Sequence, residues 1–122
     1  ITDDCLLVTL DLNKCQKEDL VISADFDLWP FQKDMLHAFV VWFDVTFQGG
    51  EKEVELSTSP YKKSTHWSQT IFYLPEPVPV DIESSIHGHY EMKPNERNPR
   101  DQDIKITFTI DGKTWTNEYK LR

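Results

Sequence analysis

The residues best suited to chemistry in this chain are a histidine and a tryptophan, in the run Thr65-His66-Trp67. The turn Ser57-Thr58-Ser59-Pro60 precedes this run, and the alternating segment Gln69-Thr70-Ile71-Phe72 follows it. The pattern places the histidine where a loop becomes a strand. An imidazole can gain or lose a proton near neutral pH, and a neighbouring indole can shield it from water. On these residues alone, a catalytic histidine and a hydrogen-bonded structural histidine both stay open.

A second candidate site is the run His87-Gly88-His89-Tyr90-Glu91. In a strand the side chains of His87, His89 and Glu91 share one face, with successive ones about 6.6 Å apart. Imidazole and carboxylate groups are ligands for divalent metals, but a metal site also needs further ligands and supporting hydrogen bonds. The sequence gives no signal for those groups. We therefore interpret this face as solvated and polar, and we predict no metal site.

A third candidate is the row Glu51, Glu53 and Glu55. Period-two spacing places the three carboxylates on the strand face opposite Val54 and Leu56. Such a row can be a plain exposed face. It can also form an acidic track that attracts a cationic partner.

Length and charge limit the function classes. A chain of 122 residues with a net charge of -8 is one domain by length, and its charge opposes direct nucleic-acid binding and favours a basic partner. The longest apolar run, Ala38 to Phe43, is far shorter than the roughly 20 residues of a membrane helix, so we expect no membrane partner. Cys5 and Cys15 form no disulfide framework, and no targeting leader is visible, which favours the cytoplasm or nucleus.

The apolar spacing predicts an all-β, antiparallel, barrel-like or sandwich domain. We expect strands at Cys5–Asp11, at Ile22–Leu28 and, as a central strand covered on both faces, at Ala38–Phe47. The predicted connections are a kink at Lys33–Leu36, a turn at 48–50 into a strand at Lys52–Leu56, and a turn at Pro94–Arg100. We further expect a strand at Gln69–Leu74 that Pro75, Pro77 and Pro79 terminate, a strand at Ser85–Met92, and a hairpin with Ile104, Ile106, Phe108 and Ile110 inside, turning at Asp111-Gly112 and closed by Trp115, Tyr119 and Leu121.

The runs quoted first carry a family resemblance, through Ser57-Thr58-x-Pro60, Thr65-His66-Trp67 and Gln69-Thr70-x-Phe72. Further matching residues occur in the same order along nearly the whole chain: Leu10-Asp11, Asp19-Leu20, Phe26, His37-Ala38, Trp42-Phe43-Asp44, Pro94-Asn95 and Arg100-Asp101. The chain resembles the C-terminal barrel of type I-like protein arginine N-methyltransferases. It departs from the family pattern at Ser68, usually a lysine, and in the turn Asp81–Ser85, which usually holds a glycine.

The resemblance implies that residues 1–122 are the substrate-side fragment of a two-domain methyltransferase that forms a homodimer. An N-terminal Rossmann-like domain, absent from this chain, would bind S-adenosylmethionine and supply two glutamates. A dimerisation arm would also be absent. This chain alone should therefore be inactive and hold no cofactor-binding residue. In that arrangement His66 is catalytic and pairs with an acidic residue of the absent domain. Trp67 packs against the glutamate-bearing loop, and Thr65 fixes its own loop.

The same resemblance makes Arg/Gly-rich proteins or histone tails the expected substrates, with Glu51, Glu53 and Glu55 steering them toward the site. Two other classes stay open. One is a non-catalytic acidic β-sandwich module that binds basic peptides. The other is a small metal-dependent barrel enzyme.

Overall fold

The computed structural model describes residues 1–11, 13, 14, 16, 21–48, 50–63 and 69–121. Every regular element within those ranges is a β-strand, and none is a helix that could span a membrane. The strands are β1 (Ile22–Leu28), β2 (Asp34–Val41), β3 (Asp44–Phe47), β4 (Val54–Ser57), β5 (Thr70–Val80), β6 (Ile86–Pro94), β7 (Gln102–Ile110) and β8 (Lys113–Leu121). The predicted class, all-β with antiparallel pairing, is confirmed.

The chain divides into two compact units. The first, which we call the sheet unit, comprises Ile1–Leu36 and Pro77–Arg122 and contains the four-stranded sheet β1-β6-β7-β8. The second, the hairpin unit, comprises His37–Glu76. It contains the β3–β4 hairpin and most of the β2–β5 pair.

The core of the sheet unit lies on one face of the four-stranded sheet. Because side chains alternate along a strand, the apolar residues of β7 all fall on that face. Ile104, Ile106, Phe108 and Ile110 are each at most 4% exposed, which confirms their predicted inward position. Full burial of each such side chain stabilises the fold by about 1.5 to 3 kcal/mol.

The β7–β8 turn is also confirmed. Asp111 has φ 50° and Gly112 has φ 82°, the two successive positive values that a tight two-residue hairpin requires and that Asp-Gly tolerates. The strands then pair along their full length, and Trp115 stacks on Phe108 with ring centroids 5.1 Å apart and planes 12° apart.

The predicted first strand, Cys5–Asp11, is wrong. Residues 3–11 have no regular structure, and the only bridge at this end joins Thr2 to Pro30 among the described residues. Leu6 is 78% exposed. Alternating apolar residues make a strand only when a neighbouring backbone supplies hydrogen bonds, and within the described ranges none pairs with this segment.

The predicted central strand, Ala38–Phe47, is also wrong as one element. The chain forms β2 up to Val41 and β3 from Asp44, and these strands pair with different neighbours, β5 and β4. At the break, the Phe43 amide donates to the hydroxyl of Thr58 instead of to a ladder. The kink predicted at Lys33–Leu36 is misplaced, because the bend covers residues 31–33 and β2 already starts at Asp34.

The prolines do not end β5, which continues through all three of them to Val80. Pro75, Pro77 and Pro79 alternate, so their nitrogens face one side of the strand. Among the described strands β5 pairs only with β2. The missing N–H groups can therefore lie on its unpaired edge, where proline costs no ladder bond. The remaining strands, β1 and β6, follow the predicted ranges closely.

Candidate functional site

Thr65, His66 and Trp67 lie in the segment 64–68, outside the residues that the structure describes. Their catalytic and loop roles therefore stay predictions. The structure does describe both flanks of that segment, and both belong to the hairpin unit. The flanks are the Ser57–Tyr61 turn on one side and Gln69 on the other.

Thr58 joins three separated parts of the hairpin unit. Its hydroxyl accepts a hydrogen bond from the Phe43 amide at 2.9 Å and donates one to the Phe43 carbonyl at 2.7 Å. Its own amide donates to that carbonyl at 2.9 Å, and its carbonyl accepts from the side-chain amide of Gln69 at 2.7 Å. We call Phe43, Thr58 and Gln69 together the Thr58 clasp.

The turn after Thr58 is held by short-range hydrogen bonds. The Ser57 hydroxyl donates to Asp44 and accepts from the Ser59 amide. The Ser59 hydroxyl accepts from the Tyr61 amide at 3.1 Å, and Tyr61 meets Trp42 edge to face with ring centroids 6.2 Å apart. This pattern of serine and threonine oxygens capping nearby amides is what a Ser-Thr-x-Pro sequence favours in a turn.

The Ser57–Pro60 and Gln69–Phe72 runs carry the family resemblance, but their spacing alone predicts no role for Thr58 or Gln69. The signal that could have found them is the composition of those runs. A threonine can both accept and donate with one hydroxyl, and a glutamine can reach a backbone carbonyl from the next strand. Spacing does not predict the bonds from Thr58 to Phe43, because Phe43 can make them only where the predicted long strand Ala38–Phe47 divides.

The three glutamates do not form the strand row that their spacing predicted. Only Glu55 lies in β4, which starts at Val54, whereas Glu51 and Glu53 precede it. All three are exposed. The geometric part of that prediction is therefore wrong, since a period-two face exists only within a strand.

The histidines of β6 face two aspartates of β1. His89 Nδ1 lies 2.6 Å from Asp25, and His87 Nδ1 contacts Asp27 in the same way. The other ring nitrogens diverge. Nε2 of His87 bonds to the hydroxyl of Ser85. Nε2 of His89 bonds to the hydroxyl of Ser23 and lies 3.4 Å from a carboxylate oxygen of Glu91. The described part of the chain brings no three metal-ligating side chains together.

These Asp–His pairs are cross-strand contacts on a wet surface. Asp25 is 90% exposed and His87 is 59% exposed at the side chain, so solvent weakens the attraction within each pair. The face around them carries the hydroxyls of Thr107 and Thr109 from β7. This arrangement can align β1 with β6, and it agrees with the solvated polar face expected from the sequence.

The family model for the arginine methyltransferase oligomerization subdomain matches residues 1–113. The chain belongs to this family. Protein arginine N-methyltransferase 1 of Chlamydomonas reinhardtii is 37% identical over 120 residues, which are 95% of this chain and 35% of that protein. The chain thus spans about a third of the length of the curated methyltransferases that it matches.

Solved arginine methyltransferase structures have the same fold. The Trypanosoma brucei PRMT1 enzyme-prozyme heterotetrameric complex with AdoHcy superimposes with a TM-score of 0.89 at 31% identity, covering 95% of this chain and 38% of that one. Protein arginine methyltransferase 10 of Arabidopsis thaliana gives a TM-score of 0.93 over 100% of this chain and 39% of that one. Its identity is 21%, so it supports the fold alone.

The methyl donor of arginine methyltransferases, S-adenosylmethionine, does not fit the described residues. Nucleotide-type cofactors usually lie on a glycine-rich loop that opens a helix. The four glycines, at positions 49, 50, 88 and 112, form no Gly-x-Gly, and no helix occurs within the described ranges. We assign no residue of this chain to the cofactor.

Proposed function

We propose that this chain is the C-terminal, substrate-side domain of a protein arginine N-methyltransferase. The full-length protein would transfer a methyl group from S-adenosylmethionine to an arginine guanidinium. The observation that carries this proposal is the match of the oligomerization subdomain to residues 1–113. The similarity to the Trypanosoma complex with AdoHcy, at 31% identity, supports it.

The separate roles that we propose for the two domains follow from the chemistry of arginine. A guanidinium has a pKa above about 12 and no free lone pair, so the enzyme must localise its charge on paired carboxylates. In the family those glutamates belong to the N-terminal domain, which would also bind S-adenosylmethionine. The proton released on methylation then needs an acceptor, and we assign that role to His66 paired with an acidic residue of the other domain. Trp67 and Thr65 would hold the loop in place.

The substrates we propose are Arg/Gly-rich proteins or histone tails. A net charge of -8 favours cationic partners. Glu51, Glu53 and Glu55 would contribute as exposed charges near one hairpin rather than as a continuous strand face. We further propose that the full-length protein is a homodimer and that it acts in the cytoplasm or nucleus. The match to an oligomerization subdomain supports assembly into an oligomer.

The test compares three forms of the full-length protein: the parent, a truncation that lacks residues 1–122 of this chain, and His66→Ala. Each is incubated with labelled S-adenosylmethionine and an Arg/Gly-rich peptide. We expect transfer by the parent only, with His66→Ala reduced by about 10² to 10⁴-fold. Equal transfer by the truncated protein would refute a role for this domain in the reaction. Specific peptide binding with no transfer by the parent would instead favour the non-catalytic basic-peptide module.

A further inference from the structure

We propose that Ser85 is a nucleophile that accepts an acyl group from small activated acyl esters, with His87 as its general base. The proposal is independent of methyl transfer, because every residue in it belongs to the sheet unit and lies in the described part of the chain. Its basis is a hydrogen-bonded relay that joins Asp27, His87 and Ser85. Acyl transfer to a serine uses these three side-chain types in this order.

The relay gives each ring nitrogen of His87 a different role. Nδ1 contacts a carboxylate oxygen of Asp27. An ionised carboxylate only accepts hydrogen bonds, so Nδ1 carries the proton of the neutral ring. Nε2 then holds a lone pair, and it lies 2.8 Å from the hydroxyl of Ser85. The serine hydroxyl therefore donates to the nitrogen that can take its proton.

The backbone holds the three side chains of the relay in place. Asp27 and His87 are direct partners in the register of β1 and β6. Ser85 lies between the start of β6 and a turn in which the Ser84 amide donates to the Asp81 carbonyl at 2.9 Å. The nucleophile, the base and the carboxylate are thus carried by paired strands and a closed turn. Fixed positions of this kind favour a reaction that needs aligned groups.

A second relay on the same sheet face provides an internal comparison. Nδ1 of His89 lies 2.6 Å from Asp25, and its Nε2 lies 2.9 Å from the hydroxyl of Ser23. A carboxylate oxygen of Glu91 is 3.4 Å from the same Nε2. A carboxylate can pair with Nε2 only when that nitrogen carries a proton, and in that form the nitrogen cannot accept one from a serine. Because Glu91 competes for this ring, we expect Ser85 to react faster than Ser23.

Acyl transfer to Ser85 needs no cofactor. With an aryl ester, the Ser85 oxygen attacks the carbonyl carbon as its proton passes to Nε2 of His87. The bond from that carbon to the leaving oxygen then breaks, and a phenolate departs. The acyl group stays on Ser85, and the imidazolium releases its proton to water. A general base contributes about 10² to 10⁴ in rate, and we expect the lower limit because solvent surrounds His87 and Asp27.

The experiment treats the full-length protein with para-nitrophenyl acetate and follows the acetylation of each residue over time by peptide mass spectrometry. Ser85→Ala removes the nucleophile, and His87→Gln keeps a polar side chain but removes the base. Asp27→Asn removes the carboxylate that orients the ring, and Asp27→Glu restores one. Ser23→Ala is the matched control, because Ser23 bonds to a histidine Nε2 of the same strand. The thermal midpoint of each variant shows whether the fold is kept.

We expect the parent to be acetylated at Ser85 faster than at Ser23. The rate at Ser85 should fall by about 10²-fold in His87→Gln. It should also fall in Asp27→Asn and recover in Asp27→Glu, since Asp27 is a positioning residue that acts through the ring. Ser23→Ala should leave the rate at Ser85 nearly unchanged.

The proposal fails if Ser85 in the parent is not acetylated, or is acetylated no faster than Ser23. This comparison is made within one folded protein, so it does not depend on the stability of any variant. The proposal also fails if His87→Gln, at the thermal midpoint of the parent, is acetylated at Ser85 as fast as the parent. An unchanged rate in Asp27→Asn would refute the orienting role of the carboxylate.

Discussion

Gly88 lies under the ring of Phe26, so replacing it with alanine tests the packing of the sheet unit. The two residues are directly paired across β1 and β6, and Gly88 also pairs with Phe108 on β7. A Cβ at position 88 would lie 2.6 and 2.7 Å from Cε1 and Cε2 of Phe26, and closer still to Cζ. Carbon atoms normally stay about 3.5 Å or more apart, and ladders on both sides hold the strand.

Two opposing effects determine how much Gly88→Ala changes the free energy of unfolding. Alanine in place of glycine normally stabilises a strand by roughly 0.5 to 1 kcal/mol, because it restricts the unfolded chain. Overpacking a core costs about 1 to 3 kcal/mol, and Phe26, only 7% exposed, cannot swing out without losing its burial. We expect Gly88→Ala to destabilise the domain by about 1 to 3 kcal/mol, or about 4 °C of thermal midpoint per kcal/mol.

The assay is equilibrium unfolding in urea, followed by fluorescence, for a double-mutant cycle. Phe26→Leu removes the Cε and Cζ atoms that conflict with the new methyl group. In that background Gly88→Ala should cost less than about 0.5 kcal/mol or become stabilising, which gives a coupling free energy of at least about 1 kcal/mol. An unchanged or higher stability of Gly88→Ala in the original background would refute the reasoning.

The purified 122-residue chain should fold but show no saturable heat on titration with S-adenosylmethionine, and a micromolar dissociation constant would contradict this. In the full-length protein, Trp67→Ala should lower both turnover and thermal midpoint. His66→Ala should lower turnover by about 10² to 10⁴-fold with little loss of stability. A kcat for His66→Ala within about threefold of the parent would contradict the catalytic role and indicate a structural one. Burial raises the pKa of Tyr90 above its ordinary value of 10.0, so the unfolded chain ionises first and the free energy of unfolding should decline as pH rises above about 10. Urea titrations from pH 8 to 11 should show a shallower decline for Tyr90→Phe, and an identical decline would contradict the assignment.

The parts of the fold that the sequence predicted well are those governed by local rules. The apolar residues of β7 from Ile104 to Ile110 alternate with polar ones, and Asp111-Gly112 is one of the dipeptides that favour a two-residue hairpin turn. The errors came where a distant partner decides the outcome. Whether Cys5–Asp11 forms a strand depends on a neighbouring backbone. The predicted strand Ala38–Phe47 divides where the Phe43 amide bonds to the hydroxyl of Thr58, fifteen residues beyond Phe43.

In the candidate site too, contacts between residues distant in sequence were not predicted. Motif types pointed to the turn before residue 64 and to the strand after residue 68, and the structure places a hydrogen-bonded clasp between those two flanks. The roles of Gln69 and Thr58 could not be predicted from residue spacing, because hydrogen bonds from a side chain to the backbone produce no periodic pattern in the sequence. The histidines of β6 were correctly predicted to share one polar face. Their aspartate partners on β1 follow from the strand register, which hydrophobic alternation alone did not determine.

The most direct measurement is the identity of the methylated product. The full-length protein is incubated with S-adenosylmethionine and an Arg/Gly-rich peptide, with a matched peptide in which every arginine is lysine as the control. Mass spectrometry after complete hydrolysis should find methylarginine from the first peptide and no methylated residue from the second. Methyllysine, methylation of another residue type, or no methyl transfer to either peptide would contradict the assignment of this chain to an arginine methyltransferase reaction.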